Sequence, residues 1–239
     1  MNKIMFITGA GLSAESGIST FRDAGGTWEN FKIEEVCDIT TFEKNYIKVN
    51  DFYDTRRKQL ANVEPNAAHL KIAELSKQFD VLNYTTNVDD LLERAGCENV
   101  RHIHGNLLEV IHNYGEDNAE VVNVGHGGSG YEDLTKYPVK PNVVFFGENA
   151  PMYENYQSAM WNLDCHDTII IVGSSEQVVP FAAMARYGSN FEGRIIFVNK
   201  DADLCMNEQI NHNVQPFNTT ATNFFETFDF EKLRNPDYE

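Results

Sequence analysis

The chain has few of the features that would tie it to a membrane, a nucleic acid or a bound metal. Nowhere do its 239 residues approach the eighteen or so consecutive apolar residues a membrane span needs. The short apolar run at the N-terminus leads into a glycine turn with no small-residue cleavage site behind it, so it reads as a buried first strand. Positive charge is scarce: 19 Lys and Arg face 36 Asp and Glu, a formal charge of −17. Such a field opposes any broad phosphate-tracking surface and excludes nucleic acid as an expected partner, whereas a lysine-bearing polypeptide would be attracted to it. The four cysteines, Cys37, Cys97, Cys165 and Cys205, stand far apart with no CxxC or CxH pairing. This excludes a disulfide framework and a zinc knuckle, fits a reducing cytoplasm, and leaves the thiols as small buried hydrophobes.

What is present is a repeated alternation. Ile4-Met5-Phe6-Ile7-Thr8 is an apolar run that stops at Gly9-Ala10-Gly11, the pattern of a buried parallel strand meeting a tight turn. The form recurs at Asp80 to Thr85, Val143 to Phe146, Thr168 to Val172 and Ile195 to Val198. Amphipathic stretches at Ala67 to Gln78, Pro151 to Leu163 and Pro180 to Tyr187 lie between these runs, with a shorter helical stretch at Leu91 to Ala95 that stops at Gly96. Strands alternating with helices imply βαβ units and a doubly wound, Rossmann-like α/β fold with a parallel sheet. The length suits one such domain over residues 1–239. Two segments break the alternation, a helix-spaced stretch at 27–62 and a polar, glycine-rich one at 107–142, and both read as insertions that together form a small lobe.

In a doubly wound fold the ligand sits beyond the carboxyl ends of the strands, where glycines let a pyrophosphate approach backbone N–H groups. Gly9, Ala10 and Gly11, followed by Ser13, meet that need without the full GxGxxG spacing. The turn has company: GAGLSAESGISTFRD at 9–23, TTNVDDLLERAG at 85–96, HIHGNL at 102–107, VVFFGENAP at 143–151, GSSEQVVP at 173–180 and VNK at 198–200 occur in this order. Together they resemble the sirtuin family, from Lys3 to about Phe228. Within it, GLSAESGISTFRDAGGTW, FYDTRRKQL and EPNAAHL are most similar to the bacterial CobB-type proteins and the animal mitochondrial desuccinylase branch.

The resemblance implies NAD as cofactor and an acyl-lysine protein or peptide as partner, entering a cleft between the two lobes from opposite sides. It implies that the acyl oxygen attacks the anomeric carbon of the nicotinamide ribose as nicotinamide leaves, so that the acyl group ends on ADP-ribose. A base is needed that works near neutral pH, and His104 matches the family's HG motif. Asn87 and Asp89 match its QNxD motif and would hold the nicotinamide amide and ribose while positive charge develops, although both residue types also cap helices. His102, two residues from His104 on an extended segment, is expected to point the same way.

Thr86 departs from the pattern, standing where glutamine is usual. Gly173, Ser174 and Ser175 stand for GTS, Asn199 is placed for the adenosine ribose, and Ala221 matches a late adenine contact. Phe21 and Arg22 match the loop that closes over the nicotinamide side.

On a helix, Tyr53 and Arg56 are three apart and share a face. They resemble the YxxR signature that holds a succinyl, malonyl or glutaryl carboxylate, with Ala24 as the small residue that widens the pocket. Arg57 and Lys58 read as solvated charges. Val143, Phe145, Gly147 and Glu148 stand where the family pairs with its substrate peptide. The leading alternatives are an NAD hydrolase or ADP-ribosyltransferase and, more remotely, a non-catalytic NAD or ADP-ribose sensor.

Most sirtuins place four cysteines between the catalytic histidine and the FGE strand, and residues 105–142 contain none. The small lobe is therefore expected to be zinc-free. Chelators should leave stability and activity unchanged, and stoichiometric zinc in a metal analysis of the purified protein would overturn this.

Overall fold

The apolar runs become a six-stranded parallel sheet in the computed structural model, whose described residues are 2–18, 27–28, 31–176, 179–202 and 214–234, with only the backbone at 27–28 and 187–188. The strands in chain order are β1 (Lys3–Thr8), β2 (Thr27–Trp28), β3 (Phe31–Lys32), β4 (Asp80–Thr85), β5 (Arg101–His102), β6 (Gly105–His112), β7 (Glu120–Asn123), β8 (Lys140–Val143), β9 (Thr168–Val172), β10 (Arg194–Asn199) and β11 (Val214–Asn218). The large sheet runs β11-β10-β9-β1-β4-β5, so the order reverses about β1, with β4 on one side and β9 on the other. Side chains alternate across it. Ile4, Phe6, Ile170 and Val172 face one core with Ile72 and Phe224, while Met5, Ile7, Ile169 and Ile171 face another with Tyr156 and Phe181. Burial on both faces is why these strands read as unbroken apolar runs.

The helices are α1 (Ala10–Ala14), α2 (Ile33–Val36), α3 (Ile39–Phe42), α4 (Tyr46–Leu60), α5 (Ala67–Leu75), α6 (Leu91–Arg94), α7 (Met152–Trp161), α8 (Phe181–Ala183) and α9 (Ala221–Thr227). Asn66 caps α5 by accepting from the N–H groups of Ala68 (3.0 Å) and His69 (3.3 Å), and its amide donates to the Leu12 carbonyl (2.8 Å). One cap thus starts a helix and ties it to the chain just after the glycine turn.

A second lobe packs over the carboxyl end of the sheet. Its core joins Val36, Phe42, Val49, Phe52, Tyr53 and Leu60 to Leu107, Val143 and Phe145, and an antiparallel sheet of order β7-β6-β8 forms one wall. The run Val143 to Phe146 is therefore not a strand of the parallel sheet. β8 ends at Val143 and pairs antiparallel with β6; beyond it Val144 donates to the His104 carbonyl and Phe146 to that of Cys37, both at 2.9 Å. A short apolar run reports burial, and burial alone does not choose the partner strand.

Arg57 is the second correction. It is fully buried instead of solvated. Its Nε donates to the Leu107 carbonyl (2.6 Å) and its Nη1 to Asp54, which in turn accepts from the backbone N–H (3.0 Å) and hydroxyl (3.2 Å) of Ser129. His112 Nε2 lies 3.2 Å from the Ser129 carbonyl. This polar clamp joins α4, β6 and the glycine-rich loop that sequence reading left without a fastening. Among the described residues, no group of three or more His, Cys, Asp and Glu is placed to hold a metal ion.

Removing one partner of a buried pair strands the other charge. Arg57→Met should destabilise the fold by about 3–5 kcal/mol in urea titration, and adding Asp54→Asn should recover part of that loss. A change within about 0.5 kcal/mol for Arg57→Met would mean that the clamp contributes as little as an ordinary surface pair.

Candidate active site

Between the two lobes lies a cavity of about 850 Å³, lined by the carboxyl ends of β1, β4, β9 and β10 on one side and by α4, β6 and residues 143–148 on the other. Its floor is backbone. Gly9 N–H donates to the Val172 carbonyl (2.9 Å), Gly11 N–H to that of Gly173 (3.0 Å), and Gly173 N–H to that of Val198 (2.9 Å). A Cβ on Gly11 would lie 2.7 Å from the Gly173 Cα, and one on Gly173, whose φ is +66°, would lie 2.5 Å from the Leu12 nitrogen. Only glycine permits this approach. Ala10 lies on the cavity wall.

Above the floor runs a chain of polar groups. Asn87 Nδ2 donates to the Gly9 carbonyl (3.0 Å) and to Ser13 Oγ (3.1 Å), and the Ser13 hydroxyl donates to Asp89 Oδ2 (2.9 Å). Asp89 Oδ1 accepts from Leu91 N–H (3.2 Å), so the residue also satisfies the first N–H of α6. Burial raises the Asp89 carboxyl above the usual carboxylate range, against the Ser13 and Leu91 hydrogen bonds, which favour the ionised form. Thr86 lies at the same edge, and its hydroxyl donates to the Thr8 carbonyl (3.2 Å).

His104 faces the cavity from the turn that follows β5. Gly105 permits that turn, since its φ is +84° and a Cβ there would lie 2.1 Å from the Asn142 carbonyl oxygen. His104 Nε2 lies 3.1 Å from Tyr153 Oη. Burial lowers the imidazole below its ordinary value of 6.5, partly offset by a hydrogen bond with the Thr86 backbone. At neutral pH the ring is therefore free to accept a proton. His102 does not follow it. The chain turns at Ile103 and His104, and the His102 ring points away to Asn87 and Glu93, so the extended-segment expectation fails.

On the far side Gly173, Ser174, Ser175 and Asn199 line the cavity, and Asn199 Nδ2 donates to the Ser174 carbonyl (2.7 Å). Ala221, at the start of α9, completes this wall. On the lobe side stand Arg56, Val143, Phe145, Gly147 and Glu148. Glu148 accepts from the Phe145 N–H (2.8 Å) and from the buried Lys140 ammonium (2.9 Å), which lies over the Phe145 ring.

Tyr53 is not on the wall. It is fully buried, with its ring stacked on Phe145 at 5.7 Å, so the shared helix face does not bring the phenol and the Arg56 guanidinium together at the cavity. Phe21, Arg22 and Ala24 lie outside the described residues.

The lining residues to which the sequence reading gave no site role include Cys37, Tyr153 and Glu176. Glu176 accepts from Ala182 N–H (2.9 Å), and burial raises its carboxyl to about 7. Of the cysteines expected to be buried, Cys97 is, Cys37 is half-buried, Cys165 is exposed and Cys205 lies outside the described residues.

A dinucleotide fits this donor set. The cavity spans four strand ends at the point where the strand order reverses, its floor is backbone, and the amides of Asn87 and Asn199 and the hydroxyls of Ser13 and Ser174 surround it.

Residues 9–180 match the Sir2 family. The chain is 40% identical over 223 residues to an NAD-dependent protein deacylase of Helicobacter pylori, covering 92% of this chain and 91% of that protein. It is 43% identical over 210 residues to a protein of the same name from Campylobacter jejuni, covering 85% of this chain and 86% of that one. Among solved structures, a Sir2 homologue in complex with NAD superposes with a TM-score of 0.78 at 30% identity, covering 98% of this chain and 89% of that one. An ADP-ribose complex of a Sir2 homologue gives 0.80 at 30% identity, covering 97% and 90%.

The His104 ring should be neutral at pH 7 and gain its proton only below 6.5, as read from its imidazole resonances in an NMR titration. A titration above 6.5 would show that the ring is charged where a base is needed.

Proposed function

Because the chain belongs to the Sir2 family, we propose that it removes acyl groups from protein lysines at the expense of NAD, with a preference for acyl chains that end in a carboxylate. The names its relatives carry support the activity. One arrangement carries the reading: His104, the Asn87–Ser13–Asp89 chain and Arg56 line a single cavity between two lobes.

Bound NAD supplies the ribose that accepts the acyl group and the nicotinamide that leaves. The protein's part is positioning and charge. Asn87 and Asp89 are fixed against the glycine turn, where an amide and a carboxylate can hold the nicotinamide end and offset positive charge as it develops. The neutral His104 imidazole can take a proton from a sugar hydroxyl, and Tyr153 and the Thr86 backbone orient the ring. Thr86 spends its hydroxyl on the Thr8 carbonyl, so it supports the strand end more than it reaches a ligand. Arg56 stands on the lobe wall, where a guanidinium can bind a distal carboxylate through two parallel hydrogen bonds. With Tyr53 buried, the preference for acidic acyl groups rests on Arg56.

The test is a mass-spectrometric screen of acetyl, malonyl, succinyl and glutaryl peptides with NAD, using His104→Ala as the inactive reference. A carboxylate left buried without its guanidinium costs on the order of 2–5 kcal/mol. Arg56→Met should therefore lower kcat/KM for succinyl or malonyl peptides by at least about tenfold with little change for acetyl. Tyr53→Phe should leave the succinyl-to-acetyl ratio where it was. Equal loss of both activities in Arg56→Met would make the residue structural and end the acidic-acyl reading.

A further inference from the structure

His102 lines no part of the cavity, yet its surroundings are specific. Nδ1 lies 2.8 Å from the Asn87 carbonyl oxygen and Nε2 lies 2.7 Å from Glu93 Oε1. Both partners only accept hydrogen bonds, and a neutral imidazole carries one N–H. Satisfying both contacts requires the doubly protonated ring. The side chain is 9% exposed, so water is poorly placed to replace either partner. The loop it grips runs from Asn87 to Asp89, the two residues that hold the end of the cavity beside the glycine turn.

We propose that His102 is a positioning residue that works as an imidazolium: Glu93 holds its charge, its Nδ1–H fixes the Asn87 carbonyl, and the ring supports the ionised form of Asp89. Asn87 then presents its amide to Gly9 and Ser13 from a backbone held on its other side. The electrostatics agree with this geometry. Burial opposes the charge on His102, but the Glu93 hydrogen bond and carboxylate, the Asn87 carbonyl and the Asp89 carboxylate outweigh it, and the ring titrates above its ordinary 6.5. The same charge acts to lower Asp89, against the burial that raises it.

The groups that face the ring are Glu93 from α6 and Asn87 and Asp89 from the loop after β4. Arg101, the preceding residue on β5, instead places its guanidinium over the Tyr84 ring, 5.3 Å from its centroid. A histidine raised in this way contributes fully below 6.5, and its contribution is lost as pH rises through the raised value. The reaction should therefore have an alkaline limb set by His102, separate from the acid limb set by His104.

Glu93→Gln tests this without touching the cavity. The variant keeps a hydrogen-bonding partner and removes the charge, so the His102 titration should move down in pH. The alkaline limb of kcat/KM for NAD, measured with saturating acyl peptide, should move down with it while the acid limb stays. At pH 8 the loss should be about three- to tenfold and at pH 6 less than twofold, the size expected for a shift of up to one pKa unit. NMR of His102 in the free wild-type protein should show an imidazolium at pH 6.5; this arm needs no turnover and so is independent of the deacylase reading. A neutral ring at pH 6 would overturn the proposal. So would a Glu93→Gln variant in which the His102 titration shifts and the alkaline limb does not follow.

Discussion

The site depends on a contact between two turns. The glycine turn after β1 and the turn after β9 meet backbone to backbone, with Gly11 N–H on the Gly173 carbonyl and no room for a Cβ on either. Because β1 and β9 are neighbours at the point where the strand order reverses, their loops would ordinarily diverge and leave a crevice. Here the contact gives the crevice a floor with no side chains. Asn87 bonds directly to that floor through the Gly9 carbonyl, Ser13 is bonded to Asn87, and Asp89 is held through Ser13. The groups on which chemistry depends are thus fixed relative to the sheet and not to a loop.

The second lobe is a different kind of construction. Its apolar core is modest, and much of its fastening is buried polar contact: Arg57 to Asp54 and Leu107, Asp54 to Ser129, and Lys140 to Glu148. Such contacts contribute little net stability compared with a well-packed apolar replacement, but each is costly to leave half made. They fix α4 in rotation. Consecutive residues on a helix differ by about 100° in direction, so burying Arg57 decides where Arg56 points. The clamp that ties down the glycine-rich loop also sets the one guanidinium that stands on the lobe wall among the described residues.

The elements most legible in the sequence were those buried on both faces. β1, β9 and β10 carry continuous apolar runs, β4 a shorter one broken by Asn83, and all four were read at nearly their observed bounds. β11 was not, since Val214-Gln215-Pro216-Phe217-Asn218 carries a proline and polar residues that only an edge strand tolerates. The motif residues at the strand ends converge on one cavity because ordered motifs report the strand ends themselves. On α4 the spacing correctly placed Tyr53 and Arg56 three apart, but it does not say which face is inward. The acidic residue three before Arg57 was a usable signal for a buried pair, outweighed by the habit of charged residues to stay solvated. Tyr153 had no such signal: it reaches His104 across 49 positions of sequence, and no spacing rule connects the two.

Deacylation couples two events that a hydrolase would separate, so the most direct measurement is the stoichiometry of nicotinamide release against lysine deacylation, run with and without an acyl peptide. If His104, Asn87 and Asp89 act on a cofactor that waits for an acyl group, release should be one-to-one with deacylated lysine and close to background when the peptide is omitted. Release that proceeds at a similar rate without peptide would contradict this and identify the cavity as that of an NAD hydrolase.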